Sequence, residues 1–211
     1  MKKSIFFFVA ILYCIVFTLC KPKLRTLPYY NTADFTPVWV LPQNNNFHQI
    51  RPFHLLDQKG KVFTEKDLEN KICVVDFFFT TCPGICPKMT NNMAVLQKEF
   101  SNNSNILLLS HSVMPQADSV SVLANYALEK GVRYDKWKLL TGTMEEIYDL
   151  GRKYYFVEED EGENRDISIF LHTENFVLID KNRRIRGIYN GLDDTSIQSV
   201  IADAQALETE E

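Results

Sequence analysis

Two cysteines with three residues between them, Cys82 and Cys86, lie in the motif CPGICP, directly after an apolar run at residues 72–79. Such a run is typical of a buried strand, and the residues after it favour a helix. If Cys82 ends the loop and Cys86 opens the helix, both sulfurs face one exposed pocket, where the helix N-terminus lowers a thiol pKa. We therefore expect a pair of thiolates, which either attack disulfides or bind soft metal ions.

A third donor would distinguish metal binding from thiol exchange. Among the four histidines, His172 is the best candidate, because it lies just before a predicted hairpin. Two thiolates and one imidazole suit Cu(I), Cu(II) or Zn. A histidine in front of a strand is also an ordinary loop residue, so the residues alone leave both interpretations open. The other histidines, among them His111 at the end of a buried strand, are predicted to be structural.

Other residues near the pair have two interpretations each. Asp76, six residues before the first cysteine, is either a proton acceptor for thiol chemistry or a buried carboxyl with a raised pKa. Cys73, inside the apolar strand, is predicted to behave as a small hydrophobic residue. Met89 and Met93 share a helix face with the second cysteine and could offer thioethers to Cu(I), but their spacing favours packing in the core.

The elements that must position these residues alternate along the chain. Strands are predicted at 53–56 and 62–64 as a hairpin, then at 72–79, 106–110 and 137–140, and at 176–180 and 184–189 as a second hairpin; helices are predicted at 83–100, 117–130, 143–151 and 193–207. This order gives an α/β domain, a central mixed sheet flanked by helices. With a cysteine pair at a strand-to-helix junction, we predict a thioredoxin-like fold, in which the loop of His172 approaches the pair.

Composition narrows the class of protein. The chain has 211 residues, 45% of them hydrophobic, with a formal net charge of -4, and the sequence pI is near 5.6. We expect one domain, and the absence of a basic balance argues against nucleic acid as a partner. Only three cysteines follow residue 20, too few for a disulfide framework.

The N-terminus has the pattern of an exported or anchored protein. Lys2 and Lys3 precede an apolar run at residues 5–19, which fits a secretory signal or a membrane anchor. Cys20 could be lipidated, although the bulky residues before it favour a helical anchor. We predict an anchor at 1–20, a tether at 21–49 and the folded domain at 50–211. Because an organelle transit pattern is missing, we expect a bacterial cell membrane location with the domain facing the periplasm or the outside.

Four stretches resemble the Sco/SenC family of copper chaperones. They are DFFFTTCPGICPKM at 76–89, SVMP at 112–115, LLTG at 139–142 and FLHTENFVLIDKNRRIRGIYNG at 170–191. The resemblance implies a thioredoxin-like fold, a membrane tether and copper held by Cys82, Cys86 and His172. This chain has Met114 and Leu171 where relatives often have Asp, which puts metal affinity rather than metal identity in question.

The resemblance also implies a task, which is to help build the copper site of cytochrome c oxidase. That help is either delivery of copper to the copper-bearing subunit, or to another cuproprotein, or reduction of the target's cysteines. The alternative function is an envelope thiol:disulfide oxidoreductase, for which Cys82 and Cys86 would be the catalytic redox pair. Whether the protein is an enzyme is therefore left open by the sequence, with a metallochaperone favoured.

Overall fold

A mixed β-sheet forms the centre of the computed structural model, which describes residues 26–40, 47–158 and 170–210. Its strands in this part of the chain are β1 Tyr29–Tyr30, β2 Pro37–Val38, β3 His54–Asp57, β4 Val62–Thr64, β5 Ile72–Phe78, β6 Ile106–Ser112, β7 Trp137–Thr141, β8 Asn175–Ile179 and β9 Ile185–Asn190. Their order across the sheet is β2-β1-β9-β8-β5-β6-β7-β3-β4. β6 runs parallel to both β5 and β7, while β8 is antiparallel to β5.

Helices connect and cover these strands. They are α1 Cys86–Glu99, α2 Val120–Lys130, α3 Met144–Asp149 and α4 Asp194–Thr209, with a 3-10 turn at Glu65–Leu68 and a π-turn at Leu150–Tyr154. The side chains of Ser119, Thr143 and Asp193 cap α2, α3 and α4. Gly131 ends α2 in the left-handed conformation that the sequence predicted. The architecture is the expected central mixed sheet flanked by helices.

The two faces of the sheet bury different side chains, because successive residues of a strand point to opposite sides. Val74 and Phe78 of β5 pack in the core that includes α1, α2 and α4. Val75 and Phe77 pack in the second core, with α3 and the π-turn. Met89 and Met93, both fully buried, belong to the first core, as their packing interpretation predicted.

Helix α4 links two regions of the molecule. Its first residue, Asp194, forms an ion pair with Lys88 of α1, with Nζ and Oδ1 2.6 Å apart. Beyond its last turn, Glu210 accepts the backbone N–H of Leu27 at 3.0 Å. The predicted tether at 21–49 therefore has a described part that packs on the domain, since β1 also pairs with β9 through Tyr30 and Ile185.

Several boundaries differ from the prediction, among them the start of α2 at Val120 rather than residue 117 and the end of β6 at Ser112 rather than residue 110. Helix α1 begins at Cys86 rather than at residue 83, because Pro83 and Gly84 belong to the loop and Pro87 occupies the first helical turn, where a missing N–H is not needed. After α3 the chain continues into the π-turn as far as Tyr154. The predicted anchor at 1–20 lies outside the described residues.

His111 in β6 gives this protein an acid-sensitive core. Its ring stacks on Phe77, with centroids 5.0 Å apart, and neither ring nitrogen has a hydrogen-bond partner within the described part of the chain. Burial lowers the pKa of His111 from 6.5 to about 3. Between pH 6.5 and about pH 3, His111 is therefore protonated in the unfolded chain but neutral in the folded chain. The free energy of unfolding falls as the pH drops below 6.5.

We expect His111→Phe to remove part of this acid sensitivity. Between pH 7 and pH 4.5, the free energy of unfolding of the unsubstituted protein should fall by about 2 to 3 kcal/mol more than that of the variant. Denaturant unfolding at both pH values measures the difference. His54→Gln serves as the control, because His54 is exposed on β3. Equal pH slopes for the unsubstituted protein and His111→Phe would show that His111 is not the acid-sensitive group.

Candidate metal centre

The loop between β5 and α1 is fastened to the end of β6 by one buried carboxylate. Asp118 is fully buried and accepts the hydroxyl of Thr80 at 2.5 Å and the backbone N–H of Thr80 at 3.1 Å. It also accepts the hydroxyl of Ser112 at 2.5 Å. Because three donors converge on it, Asp118 fixes the chain two residues before Cys82.

The two cysteines differ in exposure. Cys82 is partly exposed in the loop, whereas Cys86, the first residue of α1, is buried, and both are free thiols. The backbone N–H of Cys82 donates to the carbonyl of Phe79 at 3.3 Å, which turns the loop back toward the strand. The structure thus brings the two predicted sulfur donors together at the strand-to-helix junction.

The two thiols also differ in acidity. Partial burial opposes ionisation of Cys82, but hydrogen bonds from the Cys86 thiol and from the backbone amides of Cys86, Gly84 and Ile85 outweigh it and lower its pKa. Burial raises the pKa of Cys86 to about 12, and donation to Cys82 adds to the shift. The expectation of a pair of thiolates is therefore wrong for Cys86, because only Cys82 receives the amides of the helix N-terminus.

Asp76 lies under the pair, on the sheet face that packs against α1. Ser110 donates its hydroxyl to Asp76, and the indole N–H of Trp137 donates to that hydroxyl oxygen at 2.8 Å. Burial raises the pKa of Asp76 to about 7 in spite of the Ser110 hydrogen bond. The charge of Asp76 also contributes to the raised pKa of Cys86, so the carboxyl can exchange a proton near neutral pH close to a thiol.

His172 lies on an exposed loop next to the thiol loop. It follows the buried residue Leu171, and its backbone N–H donates to Glu158 Oε1 at 2.9 Å. Two residues before His172, the ring of Phe170 meets that of Phe79 edge to face, with centroids 5.5 Å apart. Since Phe79 also holds the Cys82 amide, the two loops share a neighbour.

The arrangement stops short of an assembled three-donor site. Across residues 26–40, 47–158 and 170–210, no group of three His, Cys, Asp or Glu side chains is close enough to hold a metal ion. The structure brings Cys82 and Cys86 together, and places His172 on the neighbouring loop. The paired sulfur donors fit a soft ion such as Cu(I), and an imidazole could complete the coordination if its side chain turned toward them.

Asp118 was not singled out from the sequence as a functional residue. Its carboxylate is remote in sequence from Thr80, and the contact depends on how the loop after β6 folds back on the loop after β5. The polar residue at the end of the apolar strand β6, Ser112, was the available signal, because a buried hydroxyl requires a partner.

A central strand that hands two cysteines to the N-terminus of a helix, in a sheet flanked by helices, defines a thioredoxin-like dithiol protein. The family model described as SCO1/SenC matches residues 42–207. The chain belongs to the SCO1/SenC family, as the CPGICP motif predicted.

Individual relatives agree with this assignment. The SCO1 protein homolog of Bacillus subtilis is 31% identical over 166 residues, which cover 77% of this chain and 84% of the relative. A SCO1/SenC family lipoprotein of Bacillus anthracis has a crystal structure that is 32% identical, with a TM-score of 0.67, covering 80% of this chain and 99% of the other.

Two further structures bear on chemistry. BsSco, described as a member of the Sco family of cytochrome c oxidase assembly proteins with a disulfide switch, is 26% identical with a TM-score of 0.65, covering 81% of this chain and 99% of its own. Arabidopsis thaliana ScoI, solved with copper bound, is 28% identical with a TM-score of 0.57, covering 75% and 97%. The thioredoxin-like fold of these structures confirms the predicted fold class.

The membrane prediction concerns residues that precede the described part. Within the described ranges, every helix is too short or too polar to cross a bilayer.

Proposed function

We propose that this protein binds copper through Cys82, Cys86 and His172 and serves the assembly of the copper site of cytochrome c oxidase. The observation that carries the proposal is the pair of unequal thiols beside the His172 loop. Cys82, with its lowered pKa, ionises more readily than an ordinary thiol, and binding of a soft cation would deprotonate Cys86 as well. Relatives described as oxidase assembly proteins or solved with copper support this assignment.

Copper is the cargo in this proposal, and two routes can serve the client. In delivery, the ion passes to the copper-bearing subunit of the oxidase, or to another cuproprotein, as client ligands replace those of this chain. In reduction, the Cys82 thiolate attacks a client disulfide, Cys86 resolves the mixed disulfide, and this chain ends with an internal disulfide as the client gains two thiols. We favour delivery because only the metal role gives His172 a function.

Thiol:disulfide exchange is the second candidate function, and one observation favours it. Asp76, with its pKa raised to about 7, can accept the proton that Cys86 must lose when it attacks. Mass spectrometry of a client fragment separates the two routes, because delivery adds copper and reduction adds two hydrogens.

The proposed location is the bacterial cell membrane, with residues 1–20 as the anchor and the domain facing the periplasm or the outside.

The ligand assignment is tested with His172→Ala. The full-length chain, purified in detergent and reduced, is titrated with Cu(I) against a competing chelator. We expect about one ion per chain for the unsubstituted protein and an affinity about 100-fold lower for the variant, because one of three donors is lost.

His54→Ala is the matched control, since His54 is also an exposed histidine but lies on β3. Its copper affinity should equal that of the unsubstituted protein. Alkylation of Cys82 should proceed at the same rate in both variants, which shows that the thiol loop is intact. If His172→Ala binds copper as tightly as the unsubstituted protein, His172 is not a ligand and the proposed site is wrong.

A further inference from the structure

The π-turn Leu150–Tyr154 lies beneath the loop that holds His172. A π-turn inserts an extra residue into a helix, and such insertions are frequent at functional sites. Here it follows α3 directly, and two of its consecutive residues, Gly151 and Arg152, reach the His172 loop by different means.

Gly151 contributes a notch for Leu171. A Cβ atom placed on Gly151 would lie 2.6 Å from Leu171 Cδ1 and 3.1 Å from Phe77 Cε1. Since Cβ atoms do not approach other carbons so closely, any side chain at this position would force the end of the Leu171 side chain to move. Leu171 is 1% exposed, although its neighbours Phe170 and His172 are exposed. It therefore anchors this part of the loop in the core.

Arg152 contributes an ion pair that holds the backbone of His172. Its Nε lies 2.9 Å from Glu158 Oε2, and the two side chains are only 14% and 8% exposed. The other carboxylate oxygen of Glu158 accepts the His172 N–H. The guanidinium of Arg152 also lies over the ring of Tyr148, 5.0 Å from its centroid. A low-exposure ion pair of this kind is more rigid than a surface pair, because each partner has several contacts.

We infer that the π-turn supports the His172 loop and fixes its position. Gly151 and the Arg152–Glu158 pair are then positioning residues for copper binding. This inference rests on the proposed function, because His172, the residue that the π-turn would position, is itself a proposed copper ligand. Leu171 in the Gly151 notch and the His172 amide on Glu158 hold the backbone at two adjacent points. The His172 side chain then needs only to rotate in order to approach the thiols, and the loop pays less ordering entropy when copper binds.

The test is Gly151→Ala in the full-length chain, again with Cu(I) and a competing chelator. We expect copper affinity to fall about 10-fold to 100-fold, as for other residues that orient a ligand, while Cys82 alkylation is unchanged. Adding Leu171→Val removes the Cδ1 atom that the new methyl meets, so the double variant should return to within about threefold of the unsubstituted protein. This double variant also answers the objection that the single variant has unfolded.

Gly142→Ala is the matched control. Its Cβ would meet Leu55 Cδ2 at the same 2.6 Å, but Leu55 belongs to β3, away from the His172 loop. If it weakens copper binding as much as Gly151→Ala does, the effect is general destabilisation and the inference is wrong.

The His172→Ala background separates the inference from the proposed function. If the π-turn acts through His172, Gly151→Ala should not lower copper affinity further in that background. A purely structural role would lower it by the full amount seen in the unsubstituted protein. If His172→Ala alone leaves affinity unchanged, the proposed function fails. If His172→Ala weakens binding and Gly151→Ala does not, the proposed function stands and the inference fails.

Discussion

Replacement of Cys86 by serine or alanine is expected to lower Cu(I) affinity at least about 1000-fold, or ~4 kcal/mol. The reason is the loss of one of two sulfur donors, which neither a hydroxyl nor a methyl replaces for a soft ion. Chelator competition on the full-length chain measures the loss. Retention of affinity within tenfold would mean that copper is held elsewhere.

The two replacements should differ at Cys82. A serine hydroxyl still donates a hydrogen bond toward the Cys82 sulfur, as the Cys86 thiol does in lowering the pKa of Cys82, whereas alanine cannot. At pH 7 we therefore expect Cys82 to be alkylated several-fold more slowly in Cys86→Ala than in Cys86→Ser. Identical rates would show that the backbone amides of Gly84, Ile85 and Cys86 are sufficient to activate Cys82.

Asp118→Ala is expected to cost about 3 to 5 kcal/mol of unfolding free energy. The substitution leaves the amide and hydroxyl of Thr80 and the hydroxyl of Ser112 without their acceptor, and each unpaired donor that stays buried costs about 1 to 3 kcal/mol. Because Thr80 precedes the thiol loop, Cys82 alkylation should also change. Denaturant unfolding and alkylation kinetics measure the two effects.

Two controls frame this prediction. Thr80→Val removes one of the three donors and should cost about 1 kcal/mol. Asp193→Ala removes the exposed cap of α4 and should cost about 1 kcal/mol without changing Cys82. If Asp118→Ala costs no more than Asp193→Ala, the carboxylate does not fasten the thiol loop.

The parts of the fold that follow from local chemistry were predictable. The apolar runs of β5 and β6 and the caps at Thr143 and Gly131 lie where the sequence indicated, because each depends on neighbouring residues. The π-turn was not predicted, and its contact with Leu171 joins residues twenty positions apart in the chain. Contacts between remote loops leave no periodicity in the sequence.

The candidate site divides in the same way. Its donor types and the spacing of Cys82 and Cys86 were readable from the motif, and so was the presence of a buried carboxyl at Asp76. The difference in acidity between the two thiols was not readable, since it depends on which sulfur receives the backbone amides and which is covered by the core. The roles of Asp118 and Gly151 were not predicted for one shared reason, since each depends on a contact that exists only when remote loops meet in the folded chain.

The contacts at the two ends of α4 set the distance between the thiol loop and the N-terminal end of the described chain. Lys88, two residues past Cys86, pairs with the first residue of this helix, while Leu27, seven residues past the proposed anchor region, is held beyond its last turn. A helix of 16 residues is about 24 Å long. If residues 1–20 are the anchor, as proposed, the thiol loop and the start of the described chain lie at opposite ends of this helix. Under that proposal, a membrane-bound client would meet the thiols one helix length, ~24 Å, from Leu27 rather than beside it.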